Sequence, residues 1–166
     1  MTPKPNPDAR LRCQCGAVEF RVSGPPILGA ACHCSDCRAA AAQLEGLKGA
    51  GDLRDAEGGT PCILLRKDQV VCVKGQDQLR DHRLSPEAPT RRVIASCCDT
   101  PMFLDFEKGH WFSVYRARLG SEAPPVRMRI KTGTTRPAGP LPSFPGYPPR
   151  FVFKLMAARL AMMIGR

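Results

Sequence analysis

The sequence predicts a mainly β protein: a body of short strands with one short helix, and a second helix at the C-terminus behind a Pro-rich linker. Three observations predict it. Short apolar or alternating runs recur at close intervals between turn residues. Uninterrupted helix formers occupy only residues 38–44 and 150–164. Proline concentrates late, with 8 of the 17 lying beyond residue 120.

The elements follow in order. Val18, Phe20 and Val22 alternate with Glu19 and Arg21, the period-two pattern of a half-buried strand, which ends at Gly24-Pro25-Pro26. Residues 27–31 read as a strand that delivers Cys32. Ser35 or Asp36 can cap a short helix over residues 38–44, stopped at Gly46. A glycine-rich loop fills residues 46–59. Strand-like runs then occupy residues 62–66, 69–74, 78–84, 91–95, 102–106 and 111–119, punctuated by Gly75-Gln76-Asp77, Ser85-Pro86 and Lys108-Gly109. The expected organisation is an extended arm over 1–10, a β body over 11–120, a Pro/Gly/Arg-rich linker over 121–149 and a basic amphipathic helix over 150–166.

The formal net charge of +10 invites a nucleic-acid or anionic-membrane partner. Its distribution redirects that reading. Residues 1–115 carry 15 Lys+Arg against 14 Asp+Glu, whereas residues 116–166 carry 10 basic residues and only Glu122 as an acid. Nucleic acid or an anionic membrane is therefore expected, if at all, at residues 121–166. Few aromatics stand there to stack on bases, and no nucleic-acid-binding motif is present. The first seven residues lack the apolar stretch of a secretory signal, and residues 151–164 are interrupted by Lys154 and Arg159, so a cytoplasmic address is the expectation.

The nine cysteines are the most informative feature. An odd number without an export signal argues against a disulfide framework. Cys13-Gln14-Cys15 is a C-x-C pair, Cys32-His33-Cys34-Ser35-Asp36-Cys37 is C-x-C-x-x-C, and Cys97-Cys98 are adjacent. Thiols so close in turns can converge on one ion, and zinc takes them tetrahedrally at about 2.3 Å. Common iron–sulfur spacings are absent. Cys62 and Cys72 stand alone among apolar neighbours and read as core.

Cys13-Gln-Cys15-Gly16-Ala17-Val18-Glu19-Phe20, Gly24-Pro25-Pro26, Cys32-His33-Cys34-Ser35-Asp36-Cys37-Arg38 and Thr100-Pro101 after a cysteine resemble the family of glutathione-dependent formaldehyde-activating enzymes and centromere protein V. The resemblance covers about residues 11–119, and the segment from Gly75 to Pro101 is most similar to a divergent branch of that family. It implies a β-tent of small antiparallel sheets stapled by two Zn²⁺. A structural zinc would be held by Cys13 and Cys15 with the region of Cys97 and Cys98. A second zinc, at Cys32, Cys34 and Cys37, would lie where the family binds its thiol substrate. Three departures accompany the match. Ala95 stands where the first cysteine of the later pair is expected, Asp99 where a glycine follows, and Ala42 where a glycine follows the three-cysteine motif.

Two functions follow as expectations. The first is a zinc-dependent carbon–sulfur lyase acting on adducts of a glutathione-like thiol and a small aldehyde or other electrophile, with His33 or Asp36 moving the proton. The second is a non-catalytic, zinc-stabilised binding module whose basic tail meets a partner. His82 and His110 are isolated and read as surface or strand residues.

Overall fold

The structure, a computed structural model, describes residues 9–165. The architecture is mainly β, built of two sheets with few helices. In chain order the elements are β1 (Ala9–Arg12), β2 (Glu19–Val22), β3 (Leu28–Cys32), α1 (Ser35–Leu44), β4 (Thr60–Arg66), β5 (Val70–Lys74), β6 (Leu79–His82), β7 (Thr90–Ala95), β8 (Thr100–Phe106), β9 (Trp111–Tyr115), β10 (Arg129–Ile130) and α2 (Pro149–Ile164). Residues 1–8 of the expected arm lie outside the described residues; Ala9 and Arg10 already belong to β1.

The smaller sheet has the order β1-β2-β5, antiparallel throughout. The larger runs β10-β3-β4-β9-β8-β7-β6 and is antiparallel except for β10, which lies parallel to β3. β4 shows why the larger sheet organises the body. Its run Thr60-Pro-Cys-Ile-Leu-Leu-Arg66 is apolar on both faces because both are covered. Ile63 and Leu65 face the smaller sheet, joining Leu11, Phe20 and Val22. Cys62 and Leu64 face the helices, joining Ala41 and Leu44 of α1 and Phe151 of α2. Phe20 and Phe103 meet edge to face at 5.3 Å across the first of these cores.

Several expectations are adjusted. The last strand stops at Tyr115, and residues 116–122 coil into 3₁₀ turns. Cys62 is buried, whereas Cys72 is only partly so and donates its thiol to the Lys74 carbonyl. Within residues 121–149, Met128 and Ile130 are buried, and the main chain there bonds to Ala31 and His33 of the β3 edge. The open hydrogen-bonding edge of β3 recruits this segment, which no periodicity over two residues could announce. Gly75 turns the chain with φ +75, and a Cβ there would meet the Ala17 carbonyl at 2.4 Å, so glycine is required.

α2 begins with Pro149 at a position where proline's missing N–H is no loss. Only Phe151 of this helix is buried. His110, expected at the surface, is buried and donates Nε2–H to the Leu155 carbonyl at 2.7 Å. No helix among the described residues is long and apolar enough to cross a membrane.

Two outcomes are expected. Phe151→Ala should cost about 3 kcal/mol and raise amide exchange selectively in α2, with β4 and β9 still protected. Burial lowers the His110 pKa below its ordinary 6.5, so the unfolded state takes the proton first as pH falls. Attachment of α2 should therefore weaken below about pH 6.5, and His110→Gln should flatten that dependence in exchange measured against pH.

Candidate metal centres

The first cluster joins two distant points of the chain. Cys13 and Cys15 sit in the turn between β1 and β2, and Cys97 and Cys98 in the turn between β7 and β8. The adjacency of Cys97 and Cys98 is made workable by Asp99, which takes a left-handed φ of 53°. Aspartate is one of the few residues that adopts this conformation readily, and Asp99 is further held by Arg80 at 3.0 Å. The resembled family places glycine here, and the backbone need is the same.

The four sulfurs all lie within 4.8 Å of one another. Cys13–Cys15 is 3.6 Å, Cys13–Cys97 3.7 Å, Cys15–Cys97 3.4 Å and Cys97–Cys98 3.8 Å. Tetrahedral thiolates at about 2.3 Å from zinc would stand about 3.8 Å apart. The spacing thus fits a tetrahedral thiolate site. Val18 N–H donates to the Cys13 sulfur at 3.2 Å, a contact of the kind that orients metal-bound thiolates. Gly49 closes over the turn, since a Cβ there would meet the Cys98 carbonyl and the Thr100 hydroxyl, both at 2.3 Å.

The second cluster is local. β3 delivers Cys32, and the chain turns into α1 so that Cys34 and Cys37 return to it, all three sulfurs within 4.8 Å. Neither Ser35 nor Asp36 caps the helix. Cys34 does, accepting from the Cys37 N–H at 3.3 Å. The helix N-terminus therefore stabilises a thiolate directly. All three cysteines are partly exposed.

The thiols' acidities express the crowding. Hydrogen bonds from Cys32 and Cys37, then the N–H groups of Cys37 and Asp36, hold Cys34 far below the ordinary thiol range. Its charge and the hydrogen bonds donated to it push Cys32 up to about 11 and Cys37 higher still. In the four-sulfur cluster, burial and then Cys15 and Cys13 raise Cys97. Cys98 resists burial through the Thr100 hydroxyl and settles at about 6. Crowding of the thiols thus holds Cys32, Cys37 and Cys97 toward the neutral form unless a cation joins them.

Each cluster also keeps an arginine nearby, Arg92 buried and Arg118 partly buried. Arg92 is 2% exposed, reaches only the Asp36 carbonyl at 3.4 Å, and leaves Nε without a partner among the described residues. Its charge acts on Cys62, which in turn feels Cys32 and Cys34. Arg118 holds the Gly49 and Ala50 carbonyls, its charge is felt with those of Cys98 and Cys13, and its Nε is likewise unpartnered. A buried guanidinium without a carboxylate is costly unless negative charge stands near. A divalent ion bound to three or four thiolates is such a charge. The donor set, its spacing and its surroundings fit metal ions at both clusters.

The two proton-transfer candidates part ways. His33 is buried, with its Nε2 packed under Gly59, where a Cβ would stand 2.4 Å away, and without a hydrogen-bond partner among the described residues. Asp36 is exposed on the first turn of α1. Sequence reasoning missed Tyr147, an exposed residue whose phenol is raised by desolvation and by the thiol charges of Cys32, Cys34 and Cys37. It missed Arg92 and Arg118 too. An isolated arginine, in a strand like Arg92 or a 3₁₀ turn like Arg118, carries no signal of burial.

Residues 8–50 match the sequence profile of the family Glutathione-dependent formaldehyde-activating enzyme. The resemblance to that family therefore holds for the segment bearing Cys13, Cys15, Cys32, Cys34 and Cys37. A solved crystal structure of a Rhodobacter sphaeroides protein, a structural-genomics target, is similar at 19% identity with a TM-score of 0.48, covering 69% of this chain and 91% of that one. No curated protein matches the chain.

Elemental analysis should find two metal ions per chain. Cys15→Ser should remove the four-sulfur ion and lower the Tm by on the order of 10 °C, as several kcal/mol of lost binding requires in a chain this size. Cys34→Ser should remove the other ion with a smaller shift. A chain that kept both ions in both variants would break this assignment.

Proposed function

We propose that Cys32, Cys34 and Cys37 hold a zinc ion that serves carbon–sulfur bond cleavage and formation in adducts of a glutathione-like thiol with a small aldehyde, while Cys13, Cys15, Cys97 and Cys98 hold a structural zinc. One observation carries this reading. The chain builds a four-sulfur cluster and, apart from it, a cluster of only three sulfurs that stays partly exposed. Four thiolates close a tetrahedral zinc, whereas three leave one position for a ligand from solution. Zinc bound there would supply an electrophilic seat for a substrate sulfur, favouring the thiolate over the thiol.

The protein's own groups then divide the work. The helix N–H groups at Cys34 favour its thiolate, and the guanidinium of Arg92 holds the Asp36 carbonyl in the first turn of α1. Tyr147, held between Phe151 and the Lys131 ammonium, forms part of the surround. In cleavage, the carbon–sulfur bond of the adduct breaks and its electron pair stays on sulfur. The adduct hydroxyl becomes the aldehyde carbonyl as its proton leaves. Asp36, open to solvent, is the proton acceptor in this scheme; His33 supports the turn at Gly59 instead. The reverse sequence joins thiol and aldehyde. A cytoplasmic setting, where glutathione-like thiols are reduced, suits this chemistry.

The direction of His33 favours a second reading, a metal-stabilised binding module without turnover. Aldehyde release from S-hydroxymethyl thiol adducts distinguishes the two. The lyase reading expects release by the wild-type chain and a loss of at least about a thousandfold in Cys34→Ala, equivalent to several kcal/mol of transition-state stabilisation. Asp36→Asn should lower kcat by roughly a hundredfold or more with its metal content intact. Full activity in Cys34→Ala, or none in a wild-type chain carrying both ions, would sink it.

A further inference from the structure

α2 is unlike an ordinary surface helix. Its inward face holds Phe151, Lys154, Leu155, Ala158 and Met162, only the first of them fully buried. Its outward face is the more apolar one. Val152, Phe153, Met156, Leu160, Met163 and Ile164 are all exposed, Phe153 at 74% and Ile164 at 75%. At about 100° per residue these six fall within a sector of about 120°. Arg159 borders one edge of that sector and Arg150 the other, with Lys154 further round toward the inward face. The stripe is held outward rather than swinging freely, because Phe151 is sunk in the core and His110 grips the Leu155 carbonyl. Tyr147, also exposed, stacks on Phe151 at the helix start beneath the Lys131 ammonium.

We infer that α2 is an interfacial helix that docks the body onto an anionic lipid bilayer, apolar stripe in the acyl boundary and basic edges at the headgroups. A contiguous exposed apolar stripe marks a binding surface, and the charge selects the occupant. No residue from 123 to 166 is acidic, so Arg150, Lys154 and Arg159 face no carboxylate supplied by this segment. Pairing the stripe with that of a second copy would bring two sets of basic edges together and leave them unneutralised. A bilayer carrying anionic lipid satisfies both features at once: it buries the apolar sector and pairs the flanking cations, the arrangement of amphipathic helices that lie in the plane of a membrane. Basic side chains at such a surface each strengthen binding by roughly fivefold. The inference is independent of what the thiol clusters do.

The test is flotation of the full metal-loaded chain with phosphatidylcholine vesicles and with phosphatidylcholine–phosphatidylglycerol vesicles. Binding should favour the anionic vesicles and weaken as salt rises. Phe153→Ser/Leu160→Ser should abolish flotation while leaving Tm and metal content unchanged, since both side chains are exposed. Arg150→Gln/Arg159→Gln should weaken it by about twentyfold or more. Three outcomes would overturn the inference: no flotation with either vesicle, flotation unchanged in the serine variant, or no flotation together with a concentration-dependent dimer that the serine variant dissolves. The last would assign the stripe to a second copy of the chain.

Discussion

Seven thiols gathered into two clusters place a constraint that the rest of the structure answers. Thiolates a few ångströms apart repel, and in a partly buried setting that repulsion is large. The protein therefore surrounds each cluster with positive potential. At the three-sulfur cluster it uses the N-terminus of α1 and Arg92; at the four-sulfur cluster it uses the Val18 and Cys15 N–H groups and Arg118. Neither arginine has a carboxylate in contact among the described residues. A guanidinium placed so is intelligible only if the sulfurs beside it are anionic, and anionic sulfurs this close are intelligible only around a cation.

The fold delivers these ligands by different routes. The four-sulfur cluster ties the turn between β1 and β2, which belongs to the smaller sheet, to the turn between β7 and β8 of the larger. It closes a seam between two layers that is also bridged by the Gln14 N–H donating to the Thr100 hydroxyl at 3.1 Å. The three-sulfur cluster ties nothing distant, since all its ligands fall within six residues. Removing the first should be felt across the sheets, and removing the second only locally. That asymmetry fits the proposed division between a site for stability and a site for chemistry.

Much of this was legible in the sequence, for reasons that are themselves physical. Cysteines one to three residues apart can meet only around an ion or in a strained turn, so their spacing carries the sites. Alternation in β2 and the apolar run of β4 reflect burial on one face and on two. What could not be read depends on partners far along the chain. β10 exists because β3 has a free edge, and Arg129 and Ile130 in isolation have no strand signature. Cys34 caps α1 in place of the hydroxyl or carboxylate that usually does so, because the ligand and the cap are one atom. Arg92, Arg118 and His110 carry no sequence signal of their partners, yet each is drawn inward by a specific acceptor or charge.

The basic C-terminal region gains its meaning from the same separation. With 14 acids against 15 basic residues, the body through Tyr115 is nearly neutral before any metal binds, and thiolate-bound ions make it more negative. Nearly all the excess charge lies on residues 116–166, part of it spent inward: Arg118 beside the four-sulfur cluster, and Arg116 and Arg129 on main-chain carbonyls. What remains outward includes Arg150 and Arg159 beside the apolar stripe of α2, with Arg127, Lys131 and Arg136 on the segment before it. The same segment that packs beside the three-sulfur cluster through Tyr147 and Phe151 thus turns its other face to the surroundings. A partner engaged by α2 would press on the element that packs beside Cys32, Cys34 and Cys37, so whatever docks there is physically continuous with the candidate reaction site.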